Sequence, residues 1–212
     1  MRRIFEGEAG QVLMEAHNGL SARIVEESGF PGIWASGLTM SASHAVRDSN
    51  ELSWTQVVEV VQFMNEATEL PILLDGDTGY GNFNNVRRLI LKLNSLDVGG
   101  VCLEDKLFPK TNSFINGTSQ LLADMEEFCG KIKAAKDSQN DASFVVVARL
   151  EGLVVGRNVD ETLERGYAYV DAGADAVLVH TASNEPGDIF EFMRRWESAA
   201  PIVLVPTKYS TT

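Results

Sequence analysis

Seven short apolar runs, each ending in polar residues and each followed by a stretch with helical spacing, recur along the chain, the alternation expected of a parallel sheet covered by helices. The runs span residues 12–17, 32–37, 71–77, 99–105, 144–151, 176–181 and 201–207. Helices are expected over 19–28, 53–68, 84–96, 125–136, 159–172 and 186–196. Ser53-Trp54-Thr55-Gln56 reads as a Ser-x-x-Gln capping box, and Gly29 and Gly173 stand where a left-handed residue ends a helix. Ile72-Leu73-Leu74 and Val145-Val146-Val147 are apolar at every position, so both faces of these strands must be covered. Seven units in series favour a (β/α)8 TIM-type barrel over an open doubly wound sheet. A seven-stranded sheet does not close with ordinary barrel geometry. The expectation is therefore one barrel domain over residues 1–212, truncated after strand seven and lacking the last strand-helix unit.

Charge narrows the partners. Eighteen basic and thirty acidic side chains give a formal charge of -12, which repels a phosphate backbone or an anionic lipid surface. Neither nucleic acid nor membrane is expected. No apolar run approaches the roughly 18 residues of a membrane span, and the two cysteines, Cys102 and Cys129, lie in apolar runs and make no disulfide framework. A cytoplasmic setting follows from this reading. An anionic substrate is compatible with such acidity only where a metal ion and placed cations reverse the sign locally.

In a parallel α/β fold the chemistry sits at the carboxyl ends of the strands. The third run ends Leu74-Asp75-Gly76-Asp77, and alternation of side chains is expected to point Asp75 and Asp77 to one side. The fourth ends Leu103-Glu104-Asp105-Lys106, so Glu104 can join them from the adjacent strand. Three carboxylates at one mouth repel one another unless a cation holds them, and an all-oxygen set suits Mg2+, or Mn2+, rather than zinc. The bland alternative is a set of solvated acids at loop starts. Arg149 and His180 close the fifth and sixth runs on the same side. Arg149 can bind a carboxylate or phosphate in a fork, or be the partner of Glu151 or Glu104; His180 alone is more often structural. Gly76-Asp77-Thr78-Gly79-Tyr80-Gly81 is spaced G-x-x-G-x-G and not as a dinucleotide fingerprint, so it reads as a tight turn beside the carboxylates. The connection after the fourth run, beginning Lys106-Leu107-Phe108-Pro109-Lys110-Thr111-Asn112-Ser113, is the longest in the chain and a candidate lid.

With these residues in view, the sequence resembles the phosphoenolpyruvate mutase branch of the isocitrate lyase superfamily. The resemblance is carried by residues 14–23, Gly32-Ile33-Trp34-Ala35-Ser36-Gly37-Leu38, Val46-Arg47-Asp48-Ser49-Asn50-Glu51, residues 75–82, Glu104-Asp105-Lys106 with the lid, and Val205-Pro206-Thr207-Lys208-Tyr209. It implies Mg2+ at Asp75, with Asp77, Glu104 and Asp48 nearby. It implies that Ser36, Gly37 and Leu38, beside Trp34, bind the pyruvyl end of the substrate, and that Arg149, His180, Asn112 and Ser113 surround a phosphoryl group; Lys110 in the lid is then expected to neutralise that group or latch the loop. Lyases of the superfamily carry a cysteine in this lid, and no cysteine lies between Cys102 and Cys129. Pro109-Lys110-Thr111-Asn112-Ser113 matches the mutase pattern, whereas phosphonopyruvate hydrolases tend to read Pro-Lys-Asp-Thr-Ser. The implied activity is interconversion of phosphoenolpyruvate and 3-phosphonopyruvate, with hydrolysis of phosphonopyruvate as the alternative and an inactive scaffold as the alternative outside catalysis. The resemblance also implies a homotetramer. It is imperfect at Gly76 and Gly152, where the family usually has alanine.

Overall fold

The computed structural model describes residues 1–7, 10–112, 120–206 and 209. Seven strands run parallel in strict chain order: β1 (Met14–Ala16), β2 (Ile33–Ala35), β3 (Ile72–Asp75), β4 (Gly100–Glu104), β5 (Val145–Leu150), β6 (Ala176–Val179) and β7 (Ile202–Leu204). Eight helices accompany them among the described residues: α1 (Arg2–Phe5), α2 (Gly19–Glu27), α3 (Gly37–Ser43), α4 (Trp54–Ala67), α5 (Phe83–Asn94), α6 (Met125–Ser138), α7 (Val159–Asp171) and α8 (Gly187–Arg195). None is long and apolar enough to cross a membrane.

The sheet curls into an incomplete TIM-type barrel, and its two faces bury separate apolar sets. Ile72, Leu74, Val101, Leu103, Val146 and Val177 face the helices. Leu73, Cys102, Val145, Val147, Ala176 and Leu178 fill the inside, with Trp34 and Val203 against them. The alternation along β3 to β6 thus produces the two sets directly. Every position of β3 and β4 is buried, as expected of strands covered on both sides.

Local chemistry sets the helix starts. The box at Ser53 and Gln56 forms, and equivalent boxes form at Asn18 with Ser21 and Asn82 with Asn85. Gly29 and Gly173 adopt φ of +80° and +110° just past α2 and α7. The second run was expected to stay extended to Gly37, but β2 stops at Ala35 because the Ser36 side chain accepts from Thr39 N and starts α3. Cys102 is buried, whereas Cys129 is only half-buried.

The amino ends of the strands are tied together by Asp175, whose carboxylate takes Arg2 at 2.8 Å, Lys136 at 2.9 Å and the Val146 N–H at 2.8 Å. Met1 and Phe5, flanking and ending α1, pack on the interior apolar set from that side.

Candidate active site

At the opposite end, where the strands finish, Asp75 closes β3 and Glu104 closes β4, while Arg149 in β5 is the register partner of Glu104. Asp77 reaches the same mouth by a different route from the one alternation suggests. The strand ends at Asp75, and Asp77 takes a left-handed φ of +49°, followed by Gly79 at +84° and Gly81 at +140°. This turn folds tightly over its neighbours. A Cβ at Gly76 would lie 2.6 Å from Val101 Cγ2, so an alanine there would make that side chain shift, while one at Gly79, where φ is also positive, would lie 2.4 Å from Val86 Cγ2. Gly152 is similarly confined, since a Cβ there would meet Thr162 Oγ1 at 2.6 Å.

Burial sets the charge state of the mouth. It pushes the Glu104 carboxyl up to about 7, against the pull of Arg149, and the Asp77 carboxyl up to about 6 even with Lys110 beside it. Lys110 Nζ lies 2.7 Å from Asp48 Oδ1 and 2.5 Å from Asp77 Oδ1. Burial alone would lower this ammonium's pKa, but Asp77, Asp75, Glu104 and Asp48 raise it well above the ordinary lysine value. The lysine is therefore a fixed cation among acids.

A second polar cluster adjoins the first. Glu151 is fully buried; its Oε1 lies 2.5 Å from Arg149 Nε and 2.6 Å from His180 Nε2, and its Oε2 lies 3.5 Å from Lys106 Nζ. Burial would raise the Glu151 carboxyl, but Arg149 and then His180 hold it well below the usual range. Burial also lowers the His180 imidazole, so the neutral ring donates its Nε2–H to the ionised carboxylate. Lys106 Nζ reaches 3.4 Å from Glu104 Oε1 and donates to Thr111 O at 2.8 Å, linking both clusters to the segment after β4. Behind them, Asp105 accepts from the Glu151 N–H at 2.8 Å, Tyr169 Oη at 2.8 Å and Arg165 Nη1 at 3.2 Å.

Residues 106–112 fold down onto these groups. Asn112 Nδ2 donates to Asp48 Oδ2 at 2.8 Å, and Asn50 joins Asp77 to the Lys110 backbone. Gly37, the first residue of α3, comes so close that a Cβ there would stand 3.3 Å from Asp77 Oδ1 and 3.5 Å from Asp75 Oδ2. The Ser36 hydroxyl caps α3, Trp34 lies on the inner face of β2, and the Leu38 side chain is exposed. Of the residues expected from sequence, Asp48, Asp75, Asp77, Glu104, Lys110, Asn112, Arg149 and His180 thus share one end of the barrel. Ser113 lies outside the described residues. Arg149 has the partner considered for it, Glu151.

Among the described residues no three His, Cys, Asp or Glu side chains are gathered as a ready metal cage. Two of the carboxylates, Asp48 and Asp77, are bridged by the Lys110 ammonium. The donor set nonetheless fits a hard cation, because both Glu104 oxygens are buried without a hydrogen-bond partner among the described residues and every donor is oxygen. A cleft of about 590 Å³ opens at the far end, lined by Leu70, Pro71, Val98 and Phe144 with Glu69, Asp97 and Asp141. It has acids but no cationic side chain in its lining. A smaller cleft of about 210 Å³ reaches His180 between α8 and β7.

Sequence reasoning missed Asn50 as a site residue and took Glu151 only as a possible arginine partner. Each acts through contacts with segments far away along the chain, 60 residues from Asn50 to Lys110 and 29 from Glu151 to His180.

Residues 1–212 match the family model described as phosphoenolpyruvate phosphomutase. A phosphoenolpyruvate phosphomutase of Tetrahymena pyriformis is 54% identical over 211 residues, covering 100% of this chain and 70% of the relative. The crystal structure of a phosphoenolpyruvate phosphomutase from Streptomyces platensis subsp. rosaceus superposes with a TM-score of 0.96 at 46% identity, covering 100% of this chain and 73% of that one. A phosphonopyruvate hydrolase in complex with oxalate and Mg2+ superposes with a TM-score of 0.90 at 39% identity, over 99% and 71% of the respective chains.

Proposed function

We propose, from the premise that this chain belongs to the phosphoenolpyruvate phosphomutase family, that it interconverts phosphoenolpyruvate and 3-phosphonopyruvate, an isomerisation that makes and breaks a carbon-phosphorus bond and would open phosphonate biosynthesis. The observation that carries the reading is the closure of Lys110 and Asn112 onto Asp48 and Asp77 beside a buried arginine and a neutral histidine. Such an arrangement places cations and amide donors, largely buried from solvent, where they can surround a trianionic substrate.

Asp75, Asp77 and Glu104 would hold Mg2+, with Asp48 nearby. Bound there, the ion would supply positive charge that favours an enolate-like pyruvyl fragment. Ser36, Gly37 and Leu38, beside Trp34, would bind the pyruvyl end, where the absence of a side chain at Gly37 lets backbone approach Asp75 and Asp77. Arg149, held in place by Glu151, would fork onto anionic oxygens. His180, Asn112 and Ser113 would hold the phosphoryl group, and Lys110 would move from carboxylate to phosphoryl oxygen as substrate arrives. Phosphoryl transfer through a loose transition state asks for positioning and charge rather than a strong base, which suits this set. A homotetramer and a cytoplasmic setting complete the proposal.

Phosphorus NMR of the protein with Mg2+ and phosphonopyruvate tests it. Phosphoenolpyruvate is the expected product; free phosphate alone would assign a hydrolase, and no turnover would leave the proposed activity without support.

A further inference from the structure

We infer that Asn50 is a positioning residue that latches residues 106–112 over the acidic mouth, so that the migrating phosphoryl group meets the enolate and not water. The inference rests on the phosphonopyruvate reading above. Asn50 lies in the connection between α3 and α4, and its carboxamide is used at both ends. Nδ2 donates to Asp77 Oδ2 at 2.8 Å, and Oδ1 accepts the Lys110 backbone N–H at 2.7 Å. Both needs differ in sign: Asp77 requires a donor and the lid backbone an acceptor. A carboxylate offers only acceptors, so an aspartate here would leave Asp77 facing a like charge.

The backbone supports the same reading. Asn50 holds φ at +60°, a region unfavourable for most L residues but tolerated best by glycine and asparagine. Two residues earlier, Asp48 takes Lys110 Nζ at 2.7 Å and Asn112 Nδ2 at 2.8 Å. One turn therefore grips the lid at three points. The two at Asp48 involve lid side chains that substrate would engage, whereas the grip by Asn50 falls on lid backbone and on a different oxygen of Asp77 from the one facing Lys110. It can persist while Lys110 and Asn112 turn to the phosphoryl group.

Two outcomes compete once the carbon-phosphorus bond of phosphonopyruvate breaks and its electron pair stays with the pyruvyl fragment as an enolate. In isomerisation the enolate oxygen takes the phosphoryl group. In hydrolysis a water oxygen takes it, one water proton going to C3 to give pyruvate and the other remaining on the phosphate. A loosened lid favours the second.

The test compares the parent with Asn50→Gly, which keeps the left-handed turn and removes both hydrogen bonds, and with Asn50→Asp. Phosphorus NMR with Mg2+ and phosphonopyruvate should show phosphoenolpyruvate formation slowed roughly tenfold or more in both variants, the scale of losing one or two hydrogen bonds, and the pyruvate-plus-phosphate share raised several-fold. A merely structural role would lower turnover without moving that ratio. Parent-like rate and partition in Asn50→Gly would overturn the latch. If the parent itself forms no phosphoenolpyruvate, the functional reading fails, and amide hydrogen exchange judges the latch separately: the Lys110 N–H should be protected in the parent and exchange at least about tenfold faster in Asn50→Gly. Should the glycine variant fail to fold, an unprotected Lys110 N–H in the folded parent is the result that overturns it.

Discussion

His180 Nε2 and Arg149 Nε converge on a single oxygen, Oε1 of Glu151, at 2.6 and 2.5 Å. One buried carboxylate therefore orients a neutral donor and a permanent cation at once. Glu151→Gln should leave Arg149 without its nearest counter-charge and destabilise the fold by about 3–5 kcal/mol, the scale of a broken buried pair. Urea unfolding measures this. Phosphoenolpyruvate formation should fall more than tenfold in the fraction that stays folded, and an unchanged turnover would separate Glu151 from the site.

Protons and the proposed Mg2+ would compete for the oxygens of Glu104 and Asp77, whose carboxyls burial raises to about 7 and about 6. Because the ion requires the deprotonated forms, Mg2+ affinity should be full above about pH 8 and fall as pH drops through 7 and then 6. Titration calorimetry in buffers of different ionisation enthalpy should detect protons released on binding near pH 6.5. Affinity independent of pH between 5.5 and 8.5 would contradict the assignment.

Asp75 ends its strand pointing into this mouth, and Asp75→Ala should abolish turnover while leaving the melt near that of the parent. Full turnover after dialysis against EDTA would sink the metal assignment altogether.

Gly37 faces Asp77 and Asp75 so closely that Gly37→Ala puts a methyl group 3.3 Å from one carboxylate oxygen and 3.5 Å from another. Alanine favours a helix start by up to about 1 kcal/mol over glycine. The variant should therefore melt within a few degrees of the parent yet lose at least about tenfold in turnover. A variant of unchanged activity would show that the backbone at this point does not approach substrate.

Tyr169 donates to Asp105 from α7, and removing that hydroxyl leaves a buried carboxylate short of a donor. Tyr169→Phe should cost about 1–3 kcal/mol in denaturant unfolding. Its effect on product partition should be small, since the hydroxyl lies outside the mouth.

The strands were legible because each depends on its own apolar run, and the carboxylates at their ends followed from the rule that parallel strands present chemistry at their carboxyl ends. Asp77 was placed correctly for an incomplete reason: it reaches the mouth through a left-handed turn and not through strand alternation. Helix α3 escaped notice because Gly37-Leu38-Thr39-Met40-Ser41-Ala42-Ser43 carries too few apolar residues to show a period of 3.6. The placement of Lys110 between Asp48 and Asp77 depends on a turn and a lid contributed by distant segments, and no local pattern encodes that meeting. Asn50 was hidden for the same reason.

The knot of Arg2, Lys136 and Val146 on Asp175 lies at the opposite rim from the reactive groups, with the apolar interior between them. Mutational tolerance should therefore be partitioned by rim. Substitutions that tighten the Asp175 knot can raise thermal endurance without retuning catalysis, while those at Asp75 or Gly37, away from the buried Glu151 cluster, can redirect chemistry at little cost to folding, so a directed-evolution campaign could explore the two rims as nearly independent libraries.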